Sequence, residues 1–309
     1  MLGPSNTGRA AFVYDTLFPV SVMLRIALPS KGRLNLDCRE LLADAGLEVR
    51  ATSERSLTAS LGGEFEAIFV RAQDIPEFVA DGAADAGITG WDLVRESERP
   101  LTSRLDLEFG RCRLVVASRE ESGVKSIDEI TGTPRVATVF PNLTREFFRE
   151  AGKPITVVPV SGAVEVTPHL GIADLIVDLS STGSTLKVNG LKEIASVLQS
   201  SARLITRAAP ADDIGRAAAL DELTSALQSV VAARSKRYLM ANVPRAVLDE
   251  VRRVLPGITG PTVIDLMNDS VMVAVHAVVD AKGVYRTISE LKKLGGAGIL
   301  LTRIERLTA

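Results

Sequence analysis

A chain of 309 residues can fold into two or three compact domains with real cores, and its 46% hydrophobic and 24% charged residues are ordinary for a globular protein. A formal net charge of −2 excludes any global attraction to nucleic acid or an anionic membrane, so a polyanionic substrate must meet positive charge gathered locally. Cys38 and Cys112 are too few for a disulfide framework or a zinc cluster; they are expected as reduced, partly buried thiols of a cytoplasmic protein.

Residues 1–22 have no clear period, and Asp15 and Pro19 interrupt their apolar stretches. They make a poor secretory signal, no run approaches the ~20 apolar residues of a spanning helix, and the segment is expected as a disordered extension outside any site. From Met23 onward short β-rich runs alternate with amphipathic stretches. Leu24–Leu28 reads as a strand, followed by the polar turn Pro29–Arg33. Leu36, Leu41, Leu42 and Ala45 then recur at helical spacing, with Gly46 as the C′ residue. Ala67–Val70 is a strand, and Asp74 is the expected N-cap of a helix to Ala80. Ala84–Thr89 is a buried strand with a helix from Trp91. Leu114–Ala117, Arg135–Thr138, Ile155–Val158 and Leu175–Leu179 continue the series, and the alternation argues for parallel sheets in an α/β fold.

The Ala-rich stretch Ala208–Ser235 carries one helical face through Ala217, Leu220, Leu223, Leu227 and Val230. Beyond it a separate unit reads strand Tyr238–Val243, helix Arg245–Val254, strands Thr262–Met267 and Val271–Val278, helix Val284–Leu294 and strand Gly298–Ile304. That β-α-β-β-α-β order is ferredoxin-like and sets a domain boundary near Arg234.

Chemistry concentrates in Glu165–Leu191. A strand ending in Asp178-Leu179 delivers the chain into Ser180-Ser181-Thr182-Gly183-Ser184-Thr185, after which helical residues resume at Leu186. A phosphate needs convergent donors and a backbone that approaches closely; Gly183 permits the approach, and hydroxyls and N–H groups at a helix N-terminus supply donors. Asp178 lies where open α/β sheets place ligand contacts, and a carboxylate there can accept from ribose hydroxyls; Glu165 can do likewise or bind a magnesium ion. The same residues also suit a plain strand–turn–helix junction capped by Thr182 or Ser184. His169 and His276 both sit in runs that packing explains.

The segment resembles a known family. Glu165, Gly171, Ala173, Ile176, Asp178, Thr182-Gly183 and Thr185-Leu186 match, at their spacing, the signature of the ATP phosphoribosyltransferases, which open histidine biosynthesis. The blocks Leu28–Leu34, Arg71–Pro76, Asp85–Asp92 and Ala137–Thr144 resemble further motifs of that family, so the resemblance runs from Met23 to the C-terminus. It implies two α/β lobes like those of type II periplasmic binding proteins, one from residues 23–115 and 206–233 and the other from 116–205, with the site in the cleft. The 5′-phosphate of phosphoribosyl pyrophosphate would occupy Ser180, Ser181, Thr182, Gly183, Ser184 and Thr185, beside the catalytic carboxylates Asp178 and Glu165. Lys31, Arg33 and Arg71 would offset phosphate charge; Gly90 and Asp92 complete the implied set, although a Gly-Trp-Asp turn also serves as a capped helix start.

The implied reaction is attack by adenine N1 of ATP on C1 of the phosphoribosyl group, with Mg2+ accompanying the pyrophosphate. Its metal ligands are not assigned. Residues 234–309 resemble the ACT-like regulatory domain of the family's long form, which implies L-histidine as effector and a dimer–hexamer homo-oligomer. The prephenate dehydratases also join such a catalytic region to an ACT domain, but their motifs have only near-misses here, at Thr144-Arg145-Glu146 and Glu96–Pro100. A solute-binding sensor would leave the Glu165–Leu186 pattern unexplained.

Overall fold

The computed structural model describes residues 23–51, 53, 56–208, 214–267 and 269–308; the expectation for residues 1–22 lies outside them. The chain opens with β1 (Leu24–Pro29), α1 (Arg33–Asp44), β2 (Thr58–Gly62), β3 (Phe65–Val70), α2 (Ile75–Ala80), β4 (Ala86–Gly90), α3 (Trp91–Glu96) and β5 (Leu101–Asp106). It continues through β6 (Cys112–Arg119), β7 (Arg135–Thr138), α4 (Pro141–Glu150), β8 (Thr156–Pro159), β9 (Leu175–Ser180), α5 (Ser184–Val188) and β10 (Leu191–Ser200). Next come β11 (Ala202–Arg207) and α6 (Ile214–Arg234). The last unit is β12 (Lys236–Pro244), α7 (Leu248–Val254), β13 (Thr262–Leu266), β14 (Asp269–Asp280), α8 (Val284–Lys293) and β15 (Ala297–Arg303).

These strands form three sheets, ordered β2-β3-β1-β4-β11-β5, β10-β6-β9-β7-β8 and β13-β14-β12-β15. The first two are mixed, which corrects the expectation of parallel sheets. β1 runs parallel to β3 and β4, and β7 parallel to β8 and β9. β11 is antiparallel to both its neighbours, as is β6. Each of these two antiparallel strands arrives from the other lobe. With edge strand β2 left out of the count, the sheets read from β3 and from β8 share one order: second strand, first, third, incoming strand, fourth.

The lobe boundaries expected at 115/116 and 205/206 therefore fall inside β6 and β11. The chain crosses between sheets in Leu107–Arg111 and at Ser201 instead.

Local signals explain much of the folding. β4 is buried at every residue, as a strand covered on both faces must be. α1 closes on Gly46 (φ 78°), with Leu47 N–H donating to the Leu42 carbonyl (2.8 Å) and Gly46 N–H to that of Ala43 (2.9 Å), the Schellman pattern expected of a C′ glycine. Leu220, Leu223, Leu227 and Val230 of α6 are buried in the first lobe's core, each side chain contributing about 1.5–3 kcal/mol. Asp74 does occupy the N-cap position of α2, but its backbone is helical and its side chain makes no capping bond. In the last unit α7 and α8 cover one face of the sheet through Val251, Leu255 and Leu291. Among the described residues no helix is long and apolar enough to cross a membrane.

Candidate active site

The carboxyl ends of the parallel strands in both lobes turn toward the crossovers, where open α/β sheets hold ligands. In the first lobe, β1 and β3 pair in register up to Pro29 and Val70, so Lys31, Arg33 and Arg71 follow adjacent strand ends. Ser30 N–H donates to the Val70 carbonyl (2.7 Å), and Thr89 Oγ1 to that of Ala72 (2.7 Å), fixing both turns beside β4. Gly32 takes φ 82°, after which α1 starts at Arg33, so Arg33 is a helix residue rather than part of the turn. Lys31, Arg33 and Arg71 are exposed, and among the described residues no carboxylate pairs with them. Three unpaired cations on one rim are available to an anion.

In the second lobe, β9 carries Asp178 and ends at Ser180. Gly183, at φ 77°, stands at the N-cap of α5, and a Cβ placed on it would meet no atom within 4 Å. The backbone there faces open space. Helix begins at Ser184, two residues before the expected Leu186. Thr182 Oγ1 and Ser184 Oγ share a hydrogen bond of 2.8 Å. The Ser180 hydroxyl is buried without a hydrogen-bond partner, which is costly unless a ligand or water completes it.

Glu165 lies on a single 3-10 turn, Val164–Val166, entered through Ala163 at φ 51°. Burial pushes the Asp178 carboxyl above its ordinary range, and the charge of nearby Glu165 pushes it further; the Leu179 N–H, donating at 2.8 Å, offsets part of this. The structure thus brings together the two carboxylates that the sequence singled out.

Gly90 ends β4 and Asp92 opens α3, beside the cleft. They sit at the second crossover, both buried, where the Ser200 hydroxyl donates to the Asp92 carboxylate and accepts from the Asp92 N–H (3.0 Å). A Cβ on Gly90 would come within 2.4 Å of the Asp92 carboxylate, so glycine is needed there to admit the side chain. Trp91 N–H donates to the Ser201 carbonyl (3.0 Å), and Ser201 Oγ to the Asp106 carboxylate (2.8 Å). The Asp92 carboxylate thus clamps the crossover beside the cleft through one of its oxygens. Asp92→Ala leaves the Ser200 hydroxyl without its acceptor, and a loss of about 1–3 kcal/mol in urea unfolding is expected.

Sequence reasoning missed the cleft's own cations. A cavity of about 320 Å³ between the lobes is lined by Arg111, Arg113, Arg203, Cys112, Asp106 and Ser181 of the cradle. Arg113 pairs in register with Ser180, held by a bidentate bond to Glu193 (2.6 and 2.9 Å). Arg203 pairs with Asp106 (3.1 Å) and lies over the Trp91 ring. Only the antiparallel entry of β6 and β11 puts these residues in the cleft, and nothing local in the sequence signals it. Cys38 and Cys112 are free thiols, as expected.

His169 is exposed, not packed, and its Nε2 bonds the Asn189 carbonyl (2.8 Å). His276 bonds Tyr238 (2.8 Å) in the last unit. Neither ring reaches the cradle. The residues of the near-miss motifs are structural: Thr144 Oγ1 donates to the Phe140 carbonyl (2.7 Å), and Arg145 to Asn142 (3.0 Å).

Comparison with known proteins identifies the family. The profile of the family described as ATP phosphoribosyltransferase matches residues 71–229, and that of HisG, C-terminal domain, matches residues 233–306. The class is therefore pentosyltransferase. An ATP phosphoribosyltransferase of Gemmatimonas aurantiaca is 69% identical over 290 residues, covering 92% of this chain and 99% of the relative. One from Natronomonas pharaonis is 50% identical with the same coverage. A chain of an ATP phosphoribosyl transferase complex from Thermotoga maritima, 29% identical, superposes with a TM-score of 0.59 over 68% of this chain and 98% of that one. The chain belongs to the ATP phosphoribosyltransferase family.

Proposed function

We propose that this chain transfers the phosphoribosyl group of phosphoribosyl pyrophosphate to N1 of the adenine of ATP. The products are N1-(5-phosphoribosyl)-ATP and pyrophosphate, and the step opens L-histidine biosynthesis in the cytoplasm. The observation that carries the residue assignment is the cradle at Ser180–Thr185, with its open Gly183 and unpaired Ser180 hydroxyl beside Asp178.

Adenine N1 is already a nucleophile, so the protein's work is positioning and charge. The bond from C1 to the pyrophosphate oxygen breaks as the bond from N1 to C1 forms, and C1 carries positive charge between the two events. Ser180, Ser181, Thr182, Gly183, Ser184 and Thr185 hold the 5′-phosphate. Asp178 and Glu165 accept the ribose hydroxyls and set negative charge near C1. Lys31, Arg33 and Arg71, unpaired on the facing rim, meet the pyrophosphate and nucleotide phosphates. The carboxylates Asp178 and Glu165 fit a magnesium ion bound largely by substrate oxygens, which would neutralise the leaving group. Mixing the chain with ATP, phosphoribosyl pyrophosphate and Mg2+ should give the absorbance of an N1-substituted adenine, dependent on both substrates. No product with both substrates bound would overturn the assignment.

The shared strand order of the two catalytic sheets supports reading them as periplasmic-binding-protein-like lobes of type II. The β-α-β-β-α-β order of the last unit supports an ACT-like regulatory domain that takes L-histidine. Exposed apolar side chains on its edge strands, Ile264 and Leu300, suit contact between copies in a dimer–hexamer homo-oligomer. A chain ending at Arg234 is expected to turn over without histidine inhibition. It should also melt lower, because Leu307 N–H bonds the Ser229 carbonyl (2.9 Å) and Arg306 bonds that of Asp44 (3.2 Å). Full inhibition of the shortened chain would place the effector site elsewhere.

A further inference from the structure

Helix α3 leaves directly from β4 of the first lobe and packs on both lobes: Val94 is buried with Ala27, Ile75 and Val79 of the first, while its other face meets the second. Leu93 packs into the second lobe's core around Phe140 and Leu143. Arg95 holds both carboxylate oxygens of Glu146 on α4 (3.1 and 3.0 Å). The Glu96 carboxylate accepts from the backbone N–H groups of Asn142 (2.9 Å) and Leu143 (3.0 Å), while the Asn142 amide donates to the Glu96 carbonyl (2.9 Å).

Asn142 and Leu143 are the second and third residues of α4, whose first is Pro141, and α4 has no capping side chain of its own. Their N–H groups have no partner within the helix and must be met from outside. Here the other lobe meets them, with the Glu96 carboxyl, whose pKa burial raises, at the positive end of a ten-residue helix.

The position of this contact gives it a consequence. α3 follows β4, which neighbours β1 and its basic turn; α4 follows β7, which neighbours β9 and its phosphate cradle. The Glu96 bond therefore ties together the strand beside Lys31 and Arg33 and the strand beside Ser180–Thr185. Asp92, at the other end of α3, is tied to Ser200 at the crossover.

We propose that Glu96 is a positioning residue for the transfer: by capping α4 across the lobe boundary, it fixes the cleft width at which the two substrates meet. This inference rests on the transfer reading above, and its test keeps the two apart. Spin labels on cysteines introduced at the exposed positions Glu40 and Lys192 report the distance between lobes without substrate. Cys38 is buried, and burial pushes the Cys112 thiol up to about 11, so neither native thiol competes strongly for label.

Glu96→Ala should broaden the distance distribution and lower kcat/KM about 10- to 100-fold, since small misplacements of reacting groups carry that penalty. Glu96→Gln keeps one acceptor oxygen and should fall between Ala and the parent in both readouts; it carries the test if the alanine variant does not fold. An unchanged distribution, or a broadened one with parental kinetics for both substrates, would overturn the proposal. A parent chain that forms no product while Glu96 still governs the distance would overturn the transfer reading alone.

Discussion

Gly183→Val is expected to lower turnover by about three orders of magnitude while leaving the fold intact. Gly183 sits at φ 77°, where a β-branched residue is strained by about 1–2 kcal/mol. That loss is less than a domain's net stability of about 5–15 kcal/mol, so the chain should still fold. The chemical effect is larger because a Cβ on Gly183 meets open space, which the proposed assignment gives to the phosphate oxygens. Filling it removes several donors at once, and a single lost donor to a developing or bound anion costs about 10²–10³-fold. Steady-state turnover, read with a thermal melt, checks this. A near-parental rate would return the Ser180–Thr185 segment to the status of a plain capped turn.

Asp178→Asn should lower kcat by about 10²–10³-fold and, at neutral pH, raise the melting temperature. Burial raises the folded-state pKa of Asp178 above its unfolded value. The folded state then binds the proton more tightly than the unfolded chain, and stability falls as pH rises through the interval between the two values. At neutral pH the ionised side chain is a net strain on the fold, and Asn relieves it. The same shift moves the acid limb of kcat/KM above the range of an ordinary aspartate, since only the ionised form accepts both ribose hydroxyls. A rate profile measured from acid to neutral pH should show that displaced limb in the parent. A variant that stays active, or that melts lower, would count against the assigned role.

What the sequence made legible follows from where the signals are local. The Ser180–Thr185 turn after Asp178 was readable because it lies within one strand–loop–helix unit. The Gly46 closure was readable because one residue decides it. Asp74 was placed correctly at a helix start, but its side chain makes no cap bond, so position and mechanism parted.

Strands β2, β5, β10 and β11 and helix α4 gave no usable pattern. β10 carries irregularities between Glu193 and Ala195 and between Ser196 and Leu198, which break the alternation that marks a strand. Arg113 and Arg203 enter the cleft through register with strands distant in sequence, and the Asp92–Ser200 bond spans 108 residues, so none of these contacts is signalled locally.

The exchange of β6 and β11 between the lobes also has a consequence for biosynthesis. β11 is the bridge between β4 and β5, so a nascent chain that has not reached Arg207 cannot close its first sheet. Until then β4 offers an apolar, unpaired edge of the kind that recruits other chains. The second lobe, which lies wholly within the insertion apart from its contacts with α3, is free to form earlier. The first lobe's sheet can therefore be completed only after the whole second lobe has been synthesised.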